Sequence, residues 1–158
     1  MSEEKLQKKA REVFGTICRM LDEKDWRYQK DEDALKISCG VQGDDLPMPI
    51  RIELDAERQL VVLLSEMPFA VPEDRRSAIA VAVSVANYGM VYGNFDFDYL
   101  NGNILFRATA SYAQSLIGQE MFAFMVACSC HTIDRYNDKF LVVTQNDMTE
   151  DEVADYID

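Results

Sequence analysis

Histidine is nearly absent: His131 is the only one in 158 residues. That removes any two-histidine metal site and any mechanism that needs a second imidazole. A basic block is also missing. The formal net charge is -12, the Lys and Arg of the first thirty positions are interleaved with acids, and after Lys139 there are six acids and no base. Phosphate backbones are held by clustered Lys and Arg that release counterions, so direct binding of nucleic acid is not expected. Long apolar runs do not occur. The longest weakly polar stretch, Ser77 to Tyr92, is rich in Ala, is broken by Ser84 and Asn87, and falls short of the roughly 18 to 20 apolar residues that span a bilayer. The opening residues Ser2 to Leu6 contain no apolar signal core. These features lead us to expect a cytoplasmic protein with no membrane partner, whose cysteines Cys18, Cys39, Cys128 and Cys130 stay reduced.

What is present is ordinary globular material, 48% hydrophobic and 28% charged, enough for one core. Leu6, Ala10, Val13, Ile17, Met20 and Leu21 recur at three and four, which predicts an amphipathic helix over 3–24. Short strand-like segments follow at 26–28, 34–41, 50–54 and 60–65, separated by acidic and glycine turns. Pro68 and Pro72 keep 67–72 out of helix, and Glu73 and Asp74 supply an acidic first turn to a helix running to about Tyr88. Ile79, Val81, Val83 and Val85 also alternate as in a strand, but the Ala content and length favour helix. Two alternating runs, 94–99 and 103–107, flank Asn101-Gly102 and predict a hairpin. Leu116, Ile117, Met121, Phe124, Cys128, His131 and Arg135 trace one stripe of a long helix. Thr149 and Glu152 form a capping box for a short acidic helix. The chain divides into a domain over 1–146 and an acidic helix or tail over 147–158.

The candidates for chemistry are weak. On a helix Cys128 and His131 share a face, but Cys130 lies about 200° round from Cys128, so the three do not converge on a metal. A Cys128–His131 nucleophile lacks an orienting Asp or Asn. Asp96 with Asp98 and Glu53 with Asp55 read as the wet side of strands whose Phe95, Phe97, Ile52 and Leu54 face inward. Gly40 to Gly43 and Gly89 to Gly93 lack the lysine and setting of a phosphate loop. No catalytic residue, cofactor or metal is expected, and the chain reads as a non-enzymatic protein-binding module.

The element order α-β-β-β-α-β-β-α, with Asn87, Gly89, Gly93, Phe95 and Phe97 in one block and Gly102 to Arg107 in the next, resembles the YbjN-domain family of bacterial sensory transduction regulators. The similarity covers roughly 8–137. It implies an α+β fold in which helices pack an antiparallel sheet, like that of type III secretion chaperones, a homodimer, and a chaperone-like or regulatory role without catalysis. On this reading a partner segment would meet Leu60, Val62, Leu64, Phe95 and Phe97, and the dimer would form through Ile117, Met121 and Phe124. A small-molecule binder or hydrolase with a pocket near Cys128 and His131 is the alternative.

Overall fold

Burial with a period of two runs along the long strands, so one side of the sheet belongs to the core and the other does not. The computed structural model describes residues 2–158. Helix α1 (Glu3–Glu23) leads into β1 (Gln29–Asp31), β2 (Lys36–Gln42), β3 (Pro47–Asp55) and β4 (Leu60–Glu66). A single 3-10 turn, Glu73–Arg75, runs into α2 (Arg76–Asn87), and β5 (Asn94–Asp98), β6 (Asn103–Ser111), α3 (Gln119–Gln145) and α4 (Glu150–Ile157) complete the chain. The six strands form one antiparallel sheet in the order β1-β2-β3-β4-β6-β5. The helix-packed antiparallel sheet read from the sequence is therefore the fold.

Several boundaries differ from the sequence reading: β6 runs on to Ser111, and Glu73–Arg75 form a 3-10 turn so that α2 proper begins at Arg76. The first strand lies at 29–31 and not at 26–28, because Trp26 and Tyr28 are half-buried against the core before pairing begins. Strand β3 starts at Pro47, three residues early. Proline lacks an N–H for a second neighbour, and Pro47 and Pro49 pair only with β2, since β4 joins β3 from Arg51 onward. In α2 the alternating pattern yields to helix, with Ile79, Ala82, Val83 and Ala86 buried at helical spacing.

The core is contiguous. Val13, Phe14, Ile17 and Leu21 of α1 and Phe122, Met125, Val126, Ile133 and Phe140 of α3 cover Ile37, Ile50, Ile52, Val61, Leu63, Phe106 and Ala108 of the sheet. Between the hairpin strands Gly102 holds φ +80° in a four-residue turn capped by Asp98, whose Oδ1 accepts from the amides of Leu100 and Asn101 at 3.1 and 3.2 Å. A side chain at Gly102 would collide with the carbonyl of Val71, whose own amide donates to the Gly102 carbonyl at 2.8 Å. The hairpin turn thus also anchors the crossing segment that precedes α2.

The capping box of α4 forms as its sequence suggests. The Thr149 amide donates to Glu152 Oε2 at 2.8 Å and the Glu152 amide donates to Thr149 Oγ1 at 3.3 Å, and the Thr149 amide and hydroxyl, both donating to the Glu152 carboxylate, hold it below its ordinary range. Val153 and Ile157 of this helix are fully buried, and α4 packs on α2 and α3.

Candidate interaction surfaces

The helices pack on the inner side of the sheet, and the outer side carries Leu60, Val62 and Leu64 of β4, each half-buried. Register sets their neighbours. Leu60 lies between Asp55 and Ser111, Val62 between Glu53 and Thr109, and Leu64 between Arg51 and Arg107. Leu105 of β6, which no sequence argument singled out, extends this stripe beside Glu66 and Asp96. Ion pairs frame it: Arg51 Nε to Glu53 Oε1 at 2.7 Å and Lys36 Nζ to the same oxygen at 3.6 Å on one flank, and Arg107 Nη2 to Asp96 Oδ2 at 2.6 Å on the other. The outer face thus carries an apolar strip on β4 and β6 rimmed by charge.

Phe95 and Phe97 do not join that surface. Phe95 pairs with Phe106 and Phe97 with Ile104 across β5 and β6, both on the helix-facing side. Phe95 is 2% exposed, with ring centroids of Phe106, Tyr136 and Phe140 at 5.2, 5.6 and 5.0 Å in edge-to-face geometry. Phe95, packed between sheet and helix, is thus removed from the candidate partner-binding set, whereas Phe97 is half-buried beside Tyr99 on the same helix-facing side and does not belong to the outer face.

The free edge of β5 is closed as well. The Phe95 amide donates to Asn87 Oδ1 and Asn87 Nδ2 donates to the Phe95 carbonyl, both at 2.8 Å. The side-chain amide stands in for a seventh strand at this point. Edge strands attract foreign strands unless blocked, and at Phe95 this clamp blocks the β5 edge; the opposite edge, β1, is exposed along its length.

Along α3 the buried stripe is Phe122, Met125, Val126, Ser129, Ile133, Asn137, Phe140 and Val143. The stripe read from the sequence is the one that faces outward. Ile117 is half-buried just before the helix, while Met121 and Phe124 are 47% and 54% exposed. Phe124 meets the edge of Tyr92 at 5.4 Å, and the loop between α2 and β5 adds Tyr88 and the fully exposed Val91. Gly89 and Gly93, at φ +80° and +74°, bracket that loop and let it turn out from the core.

The cysteine and histidine cluster is dispersed. Cys130 lies near Cys39 of β2 and Asp134, and burial first, then those two charges, pushes its thiol up to about 11. Burial likewise raises Cys39, and it raises the Tyr92 hydroxyl, which sits near Cys128. His131 is exposed and opens on a groove of about 300 Å³ walled by Val85, Met90, Arg135, Tyr136 and Ile157, with Cys128 outside it. Among the described residues no three His, Cys, Asp or Glu side chains are grouped to hold a metal ion. No helix among them is long and apolar enough to cross a membrane.

The family model described as "Putative bacterial sensory transduction regulator", YbjN, matches residues 15–142. The fold is similar to that of the crystal structure of YbjN from E. coli, with a TM-score of 0.56 at 14% identity over 83% of this chain and 87% of that one. It is also similar to a chain in the crystal structure of the ExsC-ExsE complex, with a TM-score of 0.52 at 15% identity over 80% of this chain and 92% of that one. No curated protein matches the sequence.

Proposed function

Since this chain belongs to the YbjN family, whose model covers 15–142, we propose that it is a non-enzymatic, chaperone-like or regulatory adaptor of the cytoplasm that holds a segment of another protein. The observation that carries this reading is the uncovered apolar strip of Leu60, Val62, Leu64 and Leu105 within its frame of ion pairs. The likeness to a chain of the ExsC-ExsE complex supports it, since a scaffold of this shape is found with a second protein. Half-buried leucine and valine supply affinity through apolar area, and the charged rim supplies register and discrimination. The -12 charge argues against a nucleic-acid target.

The double substitution Val62→Glu, Leu64→Glu tests this. Both side chains lie half-buried on the outer face, away from the helix-packed core, so the protein should stay folded with a lowered melting temperature, while capture of the partner from a lysate should be lost. Retention of the same partner at wild-type yield would reject the face.

The same reading assigns homodimerisation to the outer patch of α3, with Ile117, Met121 and Phe124 beside Tyr92 and Val91. Sedimentation should show a dimer for the wild type and a monomer for Met121→Glu, Phe124→Glu. A monomeric wild type, or a dimer indifferent to both substitutions, would sink this assignment.

A further inference from the structure

Successive residues of a strand turn their N–H and C=O to opposite neighbours, so register tells which residues of β2 bond to β3 and which face the other way. Just outside the two ends of β2, the Leu54 amide donates to the Leu35 carbonyl at 3.1 Å and the Gly43 amide to the Leu46 carbonyl at 3.2 Å. Odd positions therefore bond to β3, and Lys36, Ser38, Gly40 and Gln42 turn toward β1. Strand β1 has only three residues and pairs with 36–38 alone. The amides and carbonyls of Gly40 and Gln42 thus reach the sheet edge with no strand beside them, and among the described residues no group bonds to either.

Elsewhere the edges carry guards. Asn87 clamps β5, and β1 is short and bears Lys30 and Asp31; shortness and charge both keep an edge strand from pairing with foreign ones. The stretch 39–42 has neither charge nor proline. A cleft of about 410 Å³ opens beside it, where 27–29 diverges from 38–40, and no atom lies within 4 Å of where a side chain at Gly40 would begin. Another backbone has room there. The surroundings differ in charge from end to end. Arg27 is exposed in the cleft wall, while Asp44 and Asp45 are exposed in the turn beyond Gln42, a turn fixed by the Asp44 amide donating to Asp134 Oδ1 at 2.9 Å.

We propose that the β2 edge at Gly40 and Gln42 is a strand-addition site, and that its ligand is an extended segment of a partner protein running antiparallel to β2. That segment carries a base at its N-terminal end beside Asp44 and Asp45, an uncharged middle, and a carboxylate at its C-terminal end beside Arg27. Its backbone satisfies the open groups of Gly40 and Gln42, and its helix-side residues cover Cys39 and Val41, which are only half-buried. Main-chain bonds supply affinity in this mode, and the charges at the two ends set direction. The inference rests on the reading that the chain holds a segment of another protein, and it gives that segment a form and an edge separate from the strip of Leu60, Val62 and Leu64.

The test follows backbone amide exchange of the full chain by NMR, with the end-capped peptide Lys-Val-Thr-Val-Glu as probe. In the free chain the amides of Gly40 and Gln42 should exchange far faster than those of Cys39 and Val41, and the peptide should protect the first pair. This reading needs no variant. Gly40→Pro removes an edge-facing N–H and leaves the β3 ladder whole, as Pro47 and Pro49 do with nitrogens turned away from β2. It should weaken peptide binding about tenfold, the upper range for one hydrogen bond. The peptide with its ends exchanged, Glu-Val-Thr-Val-Lys, should bind several-fold more weakly, and Arg27→Glu should erase that preference. Val62→Glu with Leu64→Glu should leave peptide binding unchanged, so failure of the outer strip and failure of the edge are read separately. Gly40 and Gln42 already protected in the free chain, no added protection up to the solubility limit of the peptide, or equal binding by Gly40→Pro would overturn the proposal. Protection that grows with the chain's own concentration, without peptide, would also overturn it by giving the edge to a second copy.

Discussion

Phe95→Ala should cost about 3 to 5 kcal/mol of folding stability, the range for truncating a buried aromatic side chain. The side chain is 2% exposed, and its ring edges or faces meet Phe106, Tyr136 and Phe140 within 5.0 to 5.6 Å. Truncation loses the transfer term and leaves a cavity that three aromatic neighbours in staggered contact cannot fill without leaving their rotamers. A domain of this size has about 5 to 15 kcal/mol in total, so the variant should be marginal at 37 °C. Urea unfolding followed by circular dichroism reads this directly. A midpoint within a few tenths molar of the wild type would mean that the ring is not in the core. The consequence for functional work is that a Phe95 variant that loses a partner reports unfolding, not a binding site.

Asn87→Ala is the second large effect. The side chain satisfies both backbone groups of Phe95, at 2.8 Å each, on the side of β5 that has no neighbouring strand. Its removal orphans an N–H and a C=O that are partly shielded from water, and each such group costs about 1 to 3 kcal/mol. A loss of about 2 to 5 kcal/mol is expected, and Asn87→Asp should recover little of it, because a carboxylate accepts from the amide but cannot donate to the carbonyl. The exchange rate of the Phe95 amide should rise in step with the loss. An Asn87→Asp protein as stable as the wild type would contradict the two-bond clamp.

The elements that local chemistry dictates were legible. Helix α1 follows from its three-four spacing, α4 from Thr149 and Glu152, the hairpin from Asn101 and Gly102, and α2 from its Ala content, although Glu73 and Asp74 lie in the 3-10 turn before it and not in its first turn. The direction of a face was less legible, because it depends on what packs there. Alternation in β5 places Phe95 and Phe97 on the side opposite Asp96 and Asp98, which agrees with the inward reading and takes both off the outer face of the sheet. On α3 apolar residues occupy more than one stripe, and periodicity does not say which one meets the sheet. The stripe with Phe122, Met125, Val126 and Phe140 does, which leaves Met121 and Phe124 outside. Leu105 was missed because its neighbours Ile104 and Phe106 look like the core run; only the register with β4 shows that it faces out beside Glu66. The docking of α4 was also out of reach, since Val153 and Ile157 are just two apolar residues in an acidic segment until α2 is seen beneath them.

The most direct test of the adaptor reading is amine crosslinking of the tagged full chain in its own lysate, with crosslinked residues located by mass spectrometry. Lys36 stands on the outer face of the sheet beside Glu53, whereas Lys24 and Lys139 do not belong to that face. A partner segment lying across Leu60, Val62 and Leu64 should crosslink through Lys36, and that crosslink should vanish with Val62→Glu, Leu64→Glu. A partner whose crosslinks avoid Lys36 and survive both substitutions would contradict the outer sheet face as the binding surface.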